Sequence, residues 1–138
     1  MKLSVQKGIT LIELMIAVAI VAILTSIAYP SYVNHLQTSR RTEAMAALTR
    51  IANLQEKNYM DNGTYATDLT KLGVGASPFI TENSYYSISS ATIDKTAPFD
   101  DFTLTATAQN AQANDSHCAT FTLTSTGVKG GTNADCWN

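Results

Sequence analysis

Glu13 stands at the mouth of an apolar run that reaches Tyr29. An isolated carboxylate in a bilayer or an apolar core is costly unless a cation meets it at the same depth, so the chemistry read at Glu13 is charge pairing. Cys118 and Cys136 are the only thiols and both lie near the C-terminus. His35 and His117 are the only histidines; one follows the apolar run and the other adjoins Cys118, so neither completes a nucleophile, base and acid set. No phosphate-cradling glycine motif and no cofactor motif is present. The expectation is a protein that is not an enzyme and carries no cofactor.

The element that positions Glu13 is a membrane-length helix. Residues 14–29 contain no charge, and with residues 9–12 they reach the roughly 20 residues needed to span a bilayer. Lys2 and Lys7 precede the run, and the positive-inside bias keeps that end in the cytoplasm with the rest of the chain outside.

Gly8, an apolar residue, then Thr10, Leu11, Ile12 and Glu13 resemble the cleavage and methylation signature of type IV prepilins. The family most often has Phe where this chain has Ile9. The resemblance implies that a membrane peptidase cuts between Gly8 and Ile9 and that the new Ile9 amine is methylated. Residues 1–8 are then the leader, and Glu13 pairs during assembly with the terminal amine of a neighbouring subunit. An ordinary secretory signal is cut after its apolar region, whereas this cut precedes it, so the apolar helix is retained. Residues 9–30 serve first as membrane anchor and then as filament core, where a head-to-tail contact that does not close gives a fibre.

Helical patterning continues past Pro30, which removes a backbone donor and is expected to kink the helix. Val33, Leu36, Ala44, Ala47, Leu48, Ile51, Leu54 and Tyr59 recur mostly at three- and four-residue intervals, and Asp61-Asn62-Gly63 supplies a stop. Residues 31–62 are therefore an amphipathic half, and residues 63–138 a globular head. Residues 64–83 read as a loop with a helical turn near Asp68. Segments 85–91, 102–108 and 118–125 alternate apolar with Ser and Thr, as strands with one packed and one wet face do. The amphipathic helix half covers the packed face, giving an α+β fold of helix on antiparallel sheet.

Both cysteines fall in the part placed outside the cytoplasm, where a disulfide is the default; closing such a loop contributes about 3 kcal/mol in the chain-entropy account. Metal binding is the alternative, disfavoured because His117, read on a strand, points away from Cys118. The resemblance to type IV pilins extends over Ser39-Arg40-Arg41-Thr42-Glu43-Ala44, Gln55-Glu56, Tyr59, Tyr65-Ala66, Leu72-Gly73, residues 118–127 and Cys136-Trp137. That second set is similar to the PilE-type minor pilins of type IVa systems.

The formal charge of −2 becomes −4 once Lys2 and Lys7 leave with the leader. From Asp61 onward eight acids face three lysines, which sets sequence-independent nucleic-acid binding aside on bulk charge. Asp100, Asp101 and Asp115 read as solvated loop acids, since no loop has the ligand spacing of a calcium site. No metal is expected. The function implied is a structural subunit of a type IV pilus for adhesion, twitching motility or DNA uptake. Its partners are other pilin subunits, the prepilin peptidase and methylase, an inner-membrane assembly platform and the membrane itself. A pseudopilin of a type II secretion system and a DNA-receptor pilin are the alternatives; the second needs an electropositive stripe on the head.

Overall fold

A computed structural model of the chain describes residues 8–92 and 101–138 and divides it into two compact units, Met1–Leu36 and Gln37–Asn138. Lys2, Lys7 and Asp100 lie outside the described residues. One helix, α1 (Leu11–Asn62), runs through Pro30 and belongs in part to each unit.

In the first unit α1 is apolar on every side from Leu14 to Tyr29. Its large side chains there are exposed over 53% (Ile20) to 70% (Ile27 and Tyr29) of their surface. The two hydroxyls near the middle do not break the pattern, because Thr25 donates to the Val21 carbonyl and Ser26 to the Ile23 carbonyl at 2.7 Å. Such back-bonding satisfies a hydroxyl without water.

In the second unit α1 buries Ala44, Leu48, Ile51 and Gln55, spaced four, three and four apart as one helix face requires. Between Ser31 and Asn62 there is neither Gly nor Pro, so nothing interrupts it. Gly63 ends the helix at φ +70°, donating its N–H to the Tyr59 carbonyl at 2.8 Å. This left-handed cap is the stop read in the sequence. Asp68 then caps a short 3-10 turn, Leu69–Leu72, by accepting from the Thr70 N–H.

Five antiparallel strands follow in sequence order: β1 (Phe79–Ile80), β2 (Tyr86–Thr92), β3 (Phe102–Ala108), β4 (Thr120–Thr124) and β5 (Lys129–Gly131). The register sets Leu104 opposite Leu123 and Ala106 opposite both Ile88 and Phe121. These residues share one face with Tyr86 and Phe102, and they form the core with Ala44, Leu48, Ile51 and Leu69. The opposite face carries Ser87, Ser89, Thr103, Thr105, Thr107, Thr120, Thr122 and Thr124, as the alternation requires. Burying side chains of the size of Leu or Phe stabilises by about 1.5–3 kcal/mol each, so this interface is the main source of the head's stability.

Strands β1 and β5 were not legible. A two-residue strand has no period, and Lys-Gly-Gly is poor in strand formers. β5 exists because Gly131 lets the backbone approach β4: a Cβ there would collide with the Thr120 carbonyl. β4 is also shorter than read, because Cys118 and His117 lie in a turn that precedes it.

Candidate functional site

At the start of α1, residues Gly8, Ile9 and Thr10 are non-helical and exposed. Thr10 acts as the N-cap: its Oγ1 accepts the Glu13 N–H at 3.3 Å and its carbonyl accepts the Leu14 N–H at 3.1 Å. Thr-Leu-Ile-Glu is thus half of a capping box, a signal present in the sequence but missed there. Glu13 sits in the first turn, where the positive end of the helix dipole favours an anion. A Cβ at Gly8 would meet open space, so packing within the chain does not dictate glycine there.

This is the one described helix long and apolar enough to cross a membrane. Its neighbours Leu14, Met15, Val18, Ala19 and Ala22 line a shallow apolar groove. A surface of this kind in water is unfavourable in proportion to its area, so it requires lipid or other apolar helices around it.

The head is tied together by polar contacts that reach α1. Arg41 grips Asp115 with two bonds, Nε to Oδ2 at 2.7 Å and Nη2 to Oδ1 at 2.8 Å. Asp115 also accepts from Gln112 Nε2 at 3.0 Å and from the Cys118 N–H at 3.3 Å. Burial raises the Asp115 pKa, but the hydrogen bonds and charge of Arg41 more than reverse this and hold it below the ordinary carboxylate value. Asp115 is therefore a buried, paired acid and not the solvated loop acid read from the sequence. Asp101, the other described member of that set, accepts from Ser125 Oγ at 2.8 Å. About four helical turns on from Arg41, Gln55 accepts the Ala66 N–H at 2.8 Å and donates to the Ala66 carbonyl, pinning the chain that leaves α1. Tyr65 stacks on Tyr59 at 4.6 Å and meets Phe102 edge-on at 4.8 Å.

At the far end of the sheet Cys118 and Cys136 form a disulfide with Cα atoms 5.7 Å apart. Both sulfurs are buried. Trp137 packs edge-on against Phe121, donates its Nε1–H to the Gly130 carbonyl at 2.7 Å, and carries the Lys129 ammonium 5.2 Å above its ring. His117 Nε2 lies 2.9 Å from Asp135 Oδ2. That bond holds the Asp135 carboxyl below its ordinary value.

A family model described as type IV minor pilin ComP, DNA uptake sequence receptor, matches residues 30–136. A second, the prokaryotic N-terminal methylation motif, matches residues 3–29. The chain is 38% identical over 73 residues to fimbrial protein EcpC of Eikenella corrodens, covering 53% of this chain and 48% of that protein. It is 36% identical over 77 residues to type IV major pilin protein PilE of Neisseria gonorrhoeae, covering 56% of this chain and 46% of that one. The chain thus spans about half the length of these curated relatives. A type IV pilin from Shewanella oneidensis superposes with a TM-score of 0.53 at 28% identity, covering 74% of this chain and 98% of that one. With an apolar, N-capped helix, a helix-on-sheet head and a stapled C-terminal loop on one chain, and with the family model matching residues 30–136, this protein belongs to the type IV minor pilin family.

Proposed function

We propose that this chain is a minor subunit of a type IV pilus. It is cut between Gly8 and Ile9, methylated on the Ile9 nitrogen, and held in the bacterial inner membrane by residues 9–30 with its head in the periplasm. The assembly platform then moves it into the filament. The observation that carries this reading is the exposure of every large apolar side chain from Ile9 to Ile27, a stretch whose one charged side chain is Glu13. Lipid and a bundle of like helices both suit that surface, so the same residues serve before and after extraction. In the bundle the Ile9 amine of an incoming subunit is the cation that Glu13 does not find among the described residues of its own chain.

The experiment is Glu13→Gln expressed beside the wild-type filament subunits, with membrane and sheared-filament levels compared. Membrane level is expected to hold and filament level to drop sharply, since breaking a buried pair costs about 3–5 kcal/mol. Equal incorporation per membrane-resident subunit contradicts the assembly role of Glu13.

A second reading, reception of DNA, is supported by the description of the family model over residues 30–136. Bulk charge had set nucleic acid aside, yet of the acids from Asp61 onward Asp115 is paired with the Arg41 guanidinium and Asp135 lies against His117. Lys129 beside the Trp137 ring supplies a cation and a stacking face at one sheet edge. Gel-shift titration of the solubilised chain against duplex DNA at several salt concentrations tests this. Weakening with salt, and a smaller slope for Lys129→Ala, is expected; salt-independent or absent binding contradicts it.

A further inference from the structure

We propose that the chain, before its two cysteines are joined, binds one thiophilic divalent cation such as zinc through Cys118, Cys136 and His117, and that this ion slows disulfide closure. The inference rests on head residues alone and stands apart from the pilus reading.

The strand expected at residue 118 would have turned His117 away from Cys118. Instead both residues lie in the turn before β4, and a nitrogen of His117 and the two sulfurs all fall within 4.8 Å of one another. Tetrahedral zinc bonded at about 2.0–2.3 Å holds its ligand atoms about 3.5–4 Å apart. Opening the disulfide lets the sulfurs separate to that spacing with the Cα atoms already 5.7 Å apart.

The surroundings match those of a ligating histidine. Nε2 of His117 is engaged by Asp135 Oδ2 at 2.9 Å, so the metal would take Nδ1, displacing the long 3.5 Å contact that Asn133 Nδ2 makes there, and a carboxylate on the second nitrogen orients the ring and raises its basicity. Asn133 Nδ2 donates to the His117 carbonyl at 2.6 Å, fixing the backbone of the ligand. The 3-10 turn Ala134–Trp137 carries Asp135 and Cys136 together, and the Cys118 N–H is anchored on Asp115. Both cysteines are buried while the His117 side chain is 56% exposed, so an ion enters from the histidine side and keeps water in its fourth position. No other group of three His, Cys, Asp or Glu ligands converges among the described residues.

Binding converts two thiols to thiolates and releases two protons for each cation taken up. Closure then proceeds by exchange with a donor disulfide. The donor accepts two electrons and two protons to become two thiols, the Cys118–Cys136 bond forms, and the ion leaves. A thiolate shared with zinc is a weaker nucleophile, so exchange slows while the ion is bound.

The test uses the detergent-solubilised full chain, reduced with a phosphine and titrated with Co2+ as a spectroscopic probe, then with Zn2+ in competition. One cation per reduced chain with a thiolate-to-cobalt charge-transfer band is expected, and none for the oxidised chain. Asp135→Asn should weaken binding about tenfold and His117→Ala by at least as much. His117 is exposed, so its replacement leaves the fold intact. Closure by glutathione disulfide should be slower with Zn2+ in the wild type and less so in His117→Ala. Absence of the band, equal affinity in His117→Ala, or a closure rate indifferent to Zn2+ overturns the proposal.

Discussion

Arg41 and Asp115, 74 positions apart, meet in a two-bonded ion pair that joins the amphipathic half of α1 to the segment leading into the disulfide. Asp115 is only 2% exposed, and Arg41 is held above its ordinary pKa chiefly by its hydrogen bond to Asp115. Removing one partner strands the other charge. Asp115→Ala is expected to destabilise the head by about 3–5 kcal/mol in denaturant unfolding. Pairing it with Arg41→Met should recover part of that loss.

Acid should unfold the head in a way these carboxylates explain. Burial raises the Glu43 pKa, but bonds from Thr81 and Asn83 outweigh it, so Glu43, like Asp115, is held below the ordinary value. A carboxyl lowered by folding contributes stability that is present above its unfolded pKa and is lost as pH falls through the folded one. Unfolding free energy should therefore begin to fall near pH 4 and continue downward. Asp115→Asn should make that slope shallower, measured by urea titrations across acid pH.

Gln55 is fully buried and satisfies both backbone groups of Ala66. Gln55→Leu keeps the bulk and strands an N–H, with Ser90 Oγ still donating to the carbonyl. A loss of about 1–3 kcal/mol is expected, together with faster hydrogen exchange at Ala66.

Gly131→Ala should lift β5 from β4, because the added Cβ meets the Thr120 backbone. Overpacking of this kind costs about 1–3 kcal/mol. Cys118→Ser should cost about 3 kcal/mol and lower subunit amount without blocking membrane insertion. The two variants separate in Trp137 fluorescence: Gly131→Ala disturbs the Gly130 bond to the indole directly.

What was legible followed periodicity. The apolar run, the face of Ala44, Leu48 and Ile51, and the alternation of β3 each repeat over several turns or residue pairs, so composition reveals them. The Asn62-Gly63 stop was legible because a left-handed cap favours glycine. What was missed depends on distant partners. Arg41 and Asp115 have no local signal linking them, β1 and β5 pair through backbone alone, and the turn at His117 is set by tertiary context. Several residues of the second resemblance set, Arg41, Gln55, Tyr59 and Tyr65, prove to be those that fasten loop to helix. They carried structural information before its geometry was known.

The most direct test of the central claim is mass spectrometry of filaments sheared from cells expressing this chain, read for its N-terminal peptide and its abundance relative to the bulk subunit. The account predicts that the chain is present, at low abundance, beginning at Ile9 with a methyl group on its nitrogen. A filament-borne chain that still begins at Met1, or filaments that lack the chain while membranes retain it, contradicts the account.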